Sequence, residues 1–305
     1  GSEHNEVMVS IDDMINNIDG IIDQFDEPFA DSSCLPTNII SKFASKSLKV
    51  VLSGDGGDEI FLGYNRYLYA KKIMSLNSLT SKQIRSFLKK SINHLPINLL
   101  DRLSSPFQKT FGLHGFSHKM MKLSNIINYD NNSDFYKRLS ILDNSKLDQF
   151  LESSDGIFSD YNDIELIESI QRNDIDYYLL NDILTKVDRA SMDNSLEVRS
   201  PFLDHKLVER AFKVPSLQKM RGNNQKIILK DILGKYIPKN LYDRPKMGFG
   251  IPIENWLKKD KMIKRCDDIF YDSNWDYIGY NNSRIAKIWD DYKKYKSYPA
   301  SKIWS

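Results

Sequence analysis

Cysteine is scarce. Cys34 and Cys266 are the only 2 in 305 residues, and they lie far apart. That excludes a disulfide framework and a cysteine-rich metal site, and it fits a reducing cytosol. The five histidines, His4, His94, His114, His118 and His205, form no His-Glu-x-x-His pattern. His114 and His118 could share a helix face, but surface or core-edge positions are the plainer reading. An excess of one charge is missing too: 43 Lys+Arg against 41 Asp+Glu leave a net charge of +2. No global field therefore recruits nucleic acid or an acidic surface, and Lys71-Lys72 and Lys293-Lys294 read as solvated helix faces. No apolar run approaches the ~18 residues of a membrane span. No signal peptide and no internal repeat is visible. The chain opens Gly1-Ser2-Glu3-His4 without a methionine and stops with apolar residues still arriving at Ile303-Trp304. It is expected to be an excerpt of a longer protein.

What the chain does have is an ordinary globular composition, 41% hydrophobic and 28% charged, enough to bury a core in one large or two modest domains. Val7 and Val9 predict a short strand. Ser10 with Asp13 resembles a capping box ahead of a helix whose apolar face is Ile11, Met14, Ile15, Ile18, Ile22 and Phe25. A second helix is expected over 37–46, and Val50 to Leu52 reads as a buried strand. Strand, helices and buried strand are the pattern of an α/β fold with a parallel sheet. From about residue 75 the signal turns helical, so the expected division is an α/β part over 1–75 and a mainly helical part over 76–305. Helices are also predicted over 205–213, capped by Asp204, and over 225–236.

The segment with most chemistry follows the buried strand: Ser53-Gly54-Asp55-Gly56-Gly57-Asp58-Glu59, then a helical pattern with Ile60, Phe61, Tyr64, Tyr67 and Leu68. Glycines admit close approach of a ligand to the backbone, and helix starts favour anions. Carboxylates in the same loop repel phosphate unless a cation lies between. A nucleotide with Mg²⁺, or a substrate carrying an amine, would satisfy both halves. A plain strand-to-helix turn with solvated acids would share the pattern. Downstream, Asp182, Lys186, Arg189 and Asp193 form one row beside the apolar stripe Ile175, Leu179, Ile183 and Val187. The two cations could bind a polyphosphate, and Asp182–Lys186 pairing at a solvated edge explains the row equally. Arg199 is placed to pair with Glu197 or with a distant carboxylate. Lys246, in Arg244-Pro245-Lys246-Met247-Gly248-Phe249-Gly250, is a compact charge in a rigid loop, suited either to a developing oxyanion or to solvent.

Taken in order, these segments resemble the synthetase domain of glutamine-dependent asparagine synthetases. The resemblance is carried by Glu3 to Glu6, Asp26 to Asp31, Leu52 to Glu59 with Gly63-Tyr64, Lys186 to Met192 running on to Glu197–Asp204, and Arg244 to Phe249 with Pro252 and Trp256. It implies part of an adenine nucleotide alpha hydrolase-like domain. In that family ATP adenylates the side-chain carboxylate of aspartate, and ammonia from glutamine displaces AMP. The resemblance implies Ser53, Gly54 and Asp55 at the nucleotide, and Asp55, Asp58 and Tyr64 at the amino-acid substrate. It implies Asp58 as a Mg²⁺ ligand, Lys186 and Arg189 at the leaving pyrophosphate, and Lys246 with Asp55 in catalysis. The family's Ser-Gly-Gly-x-Asp-Ser loop and the cysteine of its N-terminal glutaminase domain are absent from this chain. The fragment is therefore expected to be inactive alone, in the cytoplasm, without nucleic acid or membrane partners, and compatible with a homodimer. Asp55 is the shorter acid where some relatives carry Glu. An acceptor other than aspartate (a sugar, peptide or lactam precursor) or a non-catalytic homologue stays open.

Overall fold

The computed structural model describes residues 3–94, 123–140, 158–243, 248–272, 274–295 and 300–304. In chain order the labelled elements are α1 (Ile11–Ile22), α2 (Cys34–Ala44), β1 (Val50–Leu52), α3 (Gly57–Ile60), α4 (Asn65–Leu79), α5 (Lys82–His94), α6 (Asn132–Ser140) and α7 (Leu166–Asn173). A π-helix (Asp174–Leu184) leads into α8 (Thr185–Met192), followed by β2 (Glu197–Arg199), α9 (His205–Phe212), α10 (Ser216–Lys219) and α11 (Ile227–Leu233). The described residues combine many helices with a small two-stranded parallel sheet, the α/β class expected. Two compact units interleave along the chain: Gly1–Ser53, Asp182–Pro201 and Met247–Ser305 form the first, and Gly54–Asn181 and Phe202–Lys246 the second.

In the first unit the capping box forms as predicted. Ser10 Oγ accepts from the Asp13 N–H, and the Asp13 carboxylate accepts from the Ser10 N–H, both at 3.1 Å. Ile15, Ile18 and Ile21 then face a core shared with Leu35, Trp256, Trp289 and Ile303. α2 starts at Cys34, with Pro36 in its first turn, where the missing N–H forfeits no bond. β1 lies parallel to β2, with Val51 opposite Val198. Two expectations fail here. Residues 7–9 form no strand; among the described residues they have no partner strand to supply hydrogen bonds. β1 is not buried: Val50 is 40% and Leu52 73% exposed. Parallel strands are normally covered on both faces, and among the described residues β2 is the one strand paired with β1.

In the second unit Tyr67, Ala70 and Ile73 of α4 pack with Phe135 and Tyr136 of α6 and with Leu166, Ile167 and Ile170 of α7. Ile60, Phe61 and Ala211 centre a second cluster with Phe202, Leu207 and Ile175. The single helix expected after the acidic loop is two. Leu62 adopts a left-handed backbone (φ 56°), and the Gly63 N–H closes onto the Asp58 carbonyl at 2.7 Å, which ends α3 after four residues. The apolar stripe from Ile175 is also not on one α-helix, because the stretch Asp174–Leu184 is a π-helix with wider i→i+5 turns. No helix among the described residues is long and apolar enough to cross a membrane.

Candidate functional site

The acidic loop begins where β1 ends. The Ser53 N–H donates to the Arg199 carbonyl (2.9 Å), and the Ser53 and Ser200 hydroxyls share a 2.9 Å hydrogen bond. Gly56 must be glycine on two counts. Its φ is +83°, and a Cβ there would lie 2.2 Å from Leu203 Cδ2. The turn delivers Asp58 and Glu59 into α3, with Asp55 half-buried ahead of them. Asp58 Oδ1 is 2.8 Å from Lys226 Nζ. Gly63 makes room for that pair: a Cβ at 63 would lie 1.9 Å from Asp58 Oδ1 and 2.2 Å from Lys226 Cε. Lys226 itself holds a left-handed backbone (φ 53°) just before α11. Its neighbour Gln225 donates through Nε2 to the Leu62 and Tyr64 carbonyls at 3.2 and 2.6 Å.

Glu59 is 1% exposed and accepts from the Tyr64 hydroxyl at 2.6 Å. Burial raises its carboxyl pKa, against the opposing pull of that hydrogen bond. Burial also keeps the Tyr64 phenol protonated far above its ordinary range, reinforced by the Glu59 charge. Arg66 lies 4.6 Å over the Tyr64 ring and 4.4 Å over Tyr178, and its Nη1 donates to Asp174 at 2.7 Å. Asp174 is fully buried and also accepts from the hydroxyls of Tyr67 (2.5 Å) and Tyr136 (2.7 Å).

The two cations of the Lys186–Arg189 row are already paired. Lys186 is 7% exposed, and its amine donates to Asp31 at 2.6 Å, with Asp182 at 3.9 Å. Burial works against the Asp31 charge, yet the Lys186 amine holds that carboxyl below its ordinary pKa. Arg189 donates to Asp26 at 2.5 Å. Asp193 accepts from Gln24 and Asn38 at 3.0 and 3.1 Å. Lys186, buried against Asp31, would have to exchange that carboxylate for a phosphate, whereas Arg189 is half-exposed and gives one nitrogen to Asp26. Arg199 pairs with Glu197 at 2.7 Å, the nearer of its two expected partners. Both cysteines are free and buried, and burial pushes each thiol up to about 11. Lys246 lies outside the described residues, as do His114 and His118.

For Mg²⁺, the described residues gather no group of three or more His, Cys, Asp or Glu side chains. Asp58 offers a single carboxylate, engaged with Lys226, which fits a metal that arrives on a nucleotide's phosphates and not a protein cage. Sequence reasoning missed Lys226, Gln171 and Lys219. Only Gly63 hinted at the first, as a glycine beside the loop that marks close packing. Nothing in local periodicity marks the other two, because their partners are more than 45 residues away.

The Asparagine synthase family model matches residues 1–305. Asparagine synthetase [glutamine-hydrolyzing] 1 of Bacillus subtilis is 31% identical over 316 aligned residues, covering 100% of this chain and 46% of the relative. A putative asparagine synthetase [glutamine-hydrolyzing] of Mycobacterium tuberculosis is 28% identical over 272 residues, 87% of this chain and 39% of the relative. A further Bacillus subtilis asparagine synthetase, number 3, is 41% identical over 69 residues. The chain thus spans less than half the length of these relatives. No solved structure matches. With a family match end to end over a glycine-bounded acidic loop at the end of a parallel strand, the chain belongs to the asparagine synthase family.

Proposed function

We propose that this chain is the synthetase part of an ATP-dependent amide ligase that makes asparagine. The aspartate side-chain carboxylate attacks the α-phosphorus of ATP, and pyrophosphate leaves. Ammonia derived from glutamine then attacks the acyl carbon, and AMP leaves. Ser53, Gly54 and Asp55 contact the nucleotide. Asp55, Asp58 and Tyr64 hold the amino-acid substrate. Lys186, in exchange for Asp31, and Arg189 bind the pyrophosphate. Lys246 stabilises charge that develops on the acyl group, where a fixed cation favours the transition state over the ground state. Asp58 would be one protein ligand of Mg²⁺, which would supply positive charge to neutralise the triphosphate.

The observation that carries this reading is the loop Gly54–Glu59, built around Gly56 and packed with Lys226, in a chain aligned end to end with a glutamine-hydrolysing asparagine synthetase. The solvent-exposed β1 supports the view that the rest of the longer protein covers this sheet and completes the nucleotide site. The test is AMP formation by the whole protein, with aspartate set against other carboxylic acids. Aspartate-dependent AMP release matched by asparagine supports the reading. AMP release that ignores aspartate but follows a sugar, peptide or lactam precursor moves the chain to another acceptor. Absence of any AMP release assigns it to a non-catalytic homologue.

A further inference from the structure

Lys219 is an anomaly in the second unit. Its side chain ends α10 at 1% exposure, among the largest fully buried residues. Among the described residues no carboxylate lies within ion-pair distance. Its amine meets the Gln171 Oε1 at 3.3 Å and the Phe212 ring at 5.3 Å. The charged groups that face it are Glu168, one turn before Gln171 on α7, and Arg172, which lies 5.4 Å over the same Phe212 ring. A dry, unpaired ammonium is costly, and an apolar side chain of the same length would suit the packing better.

What the amine touches gives it a purpose. Gln171 is itself buried, and its Nε2 donates to the carbonyls of Glu59 (2.9 Å) and Ile60 (2.7 Å). These are the last two carbonyls of α3, which a helix leaves without internal partners. With both amide hydrogens committed to α3, Gln171 has only its oxygen to offer, and Lys219 binds that oxygen. The chain of contacts therefore runs from a buried cation, through one amide, to the end of the short helix that carries Asp58 and Glu59. A positive charge behind the carbonyl end of a helix is also the favourable sign for its dipole.

We infer that Lys219 is a positioning residue for the acidic loop: through Gln171 it clamps the C-terminal end of α3 and so fixes where Asp58 and Glu59 stand. The clamp itself does not depend on the reaction, but its meaning for amino-acid binding rests on the function proposed above. Burial alone accounts for the lowering of the amine's pKa to about 8, which Glu168 partly opposes.

The test is amide hydrogen exchange on this 305-residue chain, without ligands, at the Ile60 and Phe61 N–H groups. These donate to Gly56 and Gly57 inside α3. In Lys219→Met the two amides should exchange at least about tenfold faster, as loss of a charge-assisted hydrogen bond implies, while global stability to urea is equal or higher. Gln171→Leu should produce the same local loosening, and the double variant should add nothing beyond either single. Unchanged exchange in Lys219→Met overturns the inference, and so does loosening spread evenly over the second unit. Local loosening with no AMP formation by the whole wild-type protein would keep the clamp and discard the proposed reaction. AMP formation with rigid α3 in Lys219→Met would do the reverse.

Discussion

A lysine held dry gives up its proton early, and Lys219 makes that measurable. Its folded-state pKa is lowered from 10.5 to about 8 by burial. Between those two values the unfolded chain binds a proton that the folded chain does not, so this group makes stability rise with pH across that window. Below about pH 8 its cost is constant and fully felt. Lys219→Met should therefore stabilise the chain at pH 7 by up to about 3 kcal/mol and erase that part of the rise, read from urea midpoints at pH 7 to 10.5 against the wild type. Gly63→Ala belongs to the same scale. Its methyl would fall on Asp58 and Lys226, and overpacking of this kind costs about 1–3 kcal/mol. Gly54→Ala, where a Cβ meets nothing within 4 Å, should stay within about 0.5 kcal/mol in the same unfolding assay. On the function proposed above, Lys246→Ala in the whole protein should lower amide formation by roughly 10²–10³-fold, as for loss of one oxyanion stabiliser, with nucleotide binding changed less. Initial rates of asparagine and AMP formation check this.

Between elements, the tie to watch is Asp174. It opens the π-helix and accepts from Arg66 and Tyr67 of α4 and from Tyr136 of α6. Burial raises its pKa, and Arg66 pulls the other way. Asp174→Ala would strand a guanidinium and two phenols, which costs about 3–5 kcal/mol when a buried pair is broken from one side. Thermal unfolding of the variant checks it. This network was invisible in the sequence, because its members are dispersed over residues 66 to 174. The local signals were legible: the Ser10–Asp13 box, the Asp204 cap on Lys206 and Leu207, and the Glu197–Arg199 pair all formed from neighbours in sequence. The π-helix was not, because apolar residues four apart satisfy an α-helical pattern as well as a wider turn. The break at Leu62 was hidden for a related reason. A buried leucine with a left-handed backbone is set by its surroundings and not by its own preference.

For the whole molecule, strand β1 was correctly placed but wrongly buried. A short apolar run reports a parallel strand, while its covering layers come from elsewhere. Leu52→Glu should therefore leave the stability of this chain within about 0.5 kcal/mol, as for an exposed site, measured by urea unfolding. The same change in the whole protein should destabilise it, if the remaining half covers β1 as proposed. The acidic loop's place at the end of a strand was readable from composition; its partner Lys226 lies 168 positions after Asp58.

The core beneath α1 has a temporal consequence. Ile15, Ile18 and Ile21 pack with Trp289 and Ile303, which a ribosome delivers roughly a quarter of a minute to a minute after α1 at common elongation rates. Cys34 and Leu35 of α2 join the same core within seconds. The stripe on α1 is therefore closed in two steps, separated by most of this sequence.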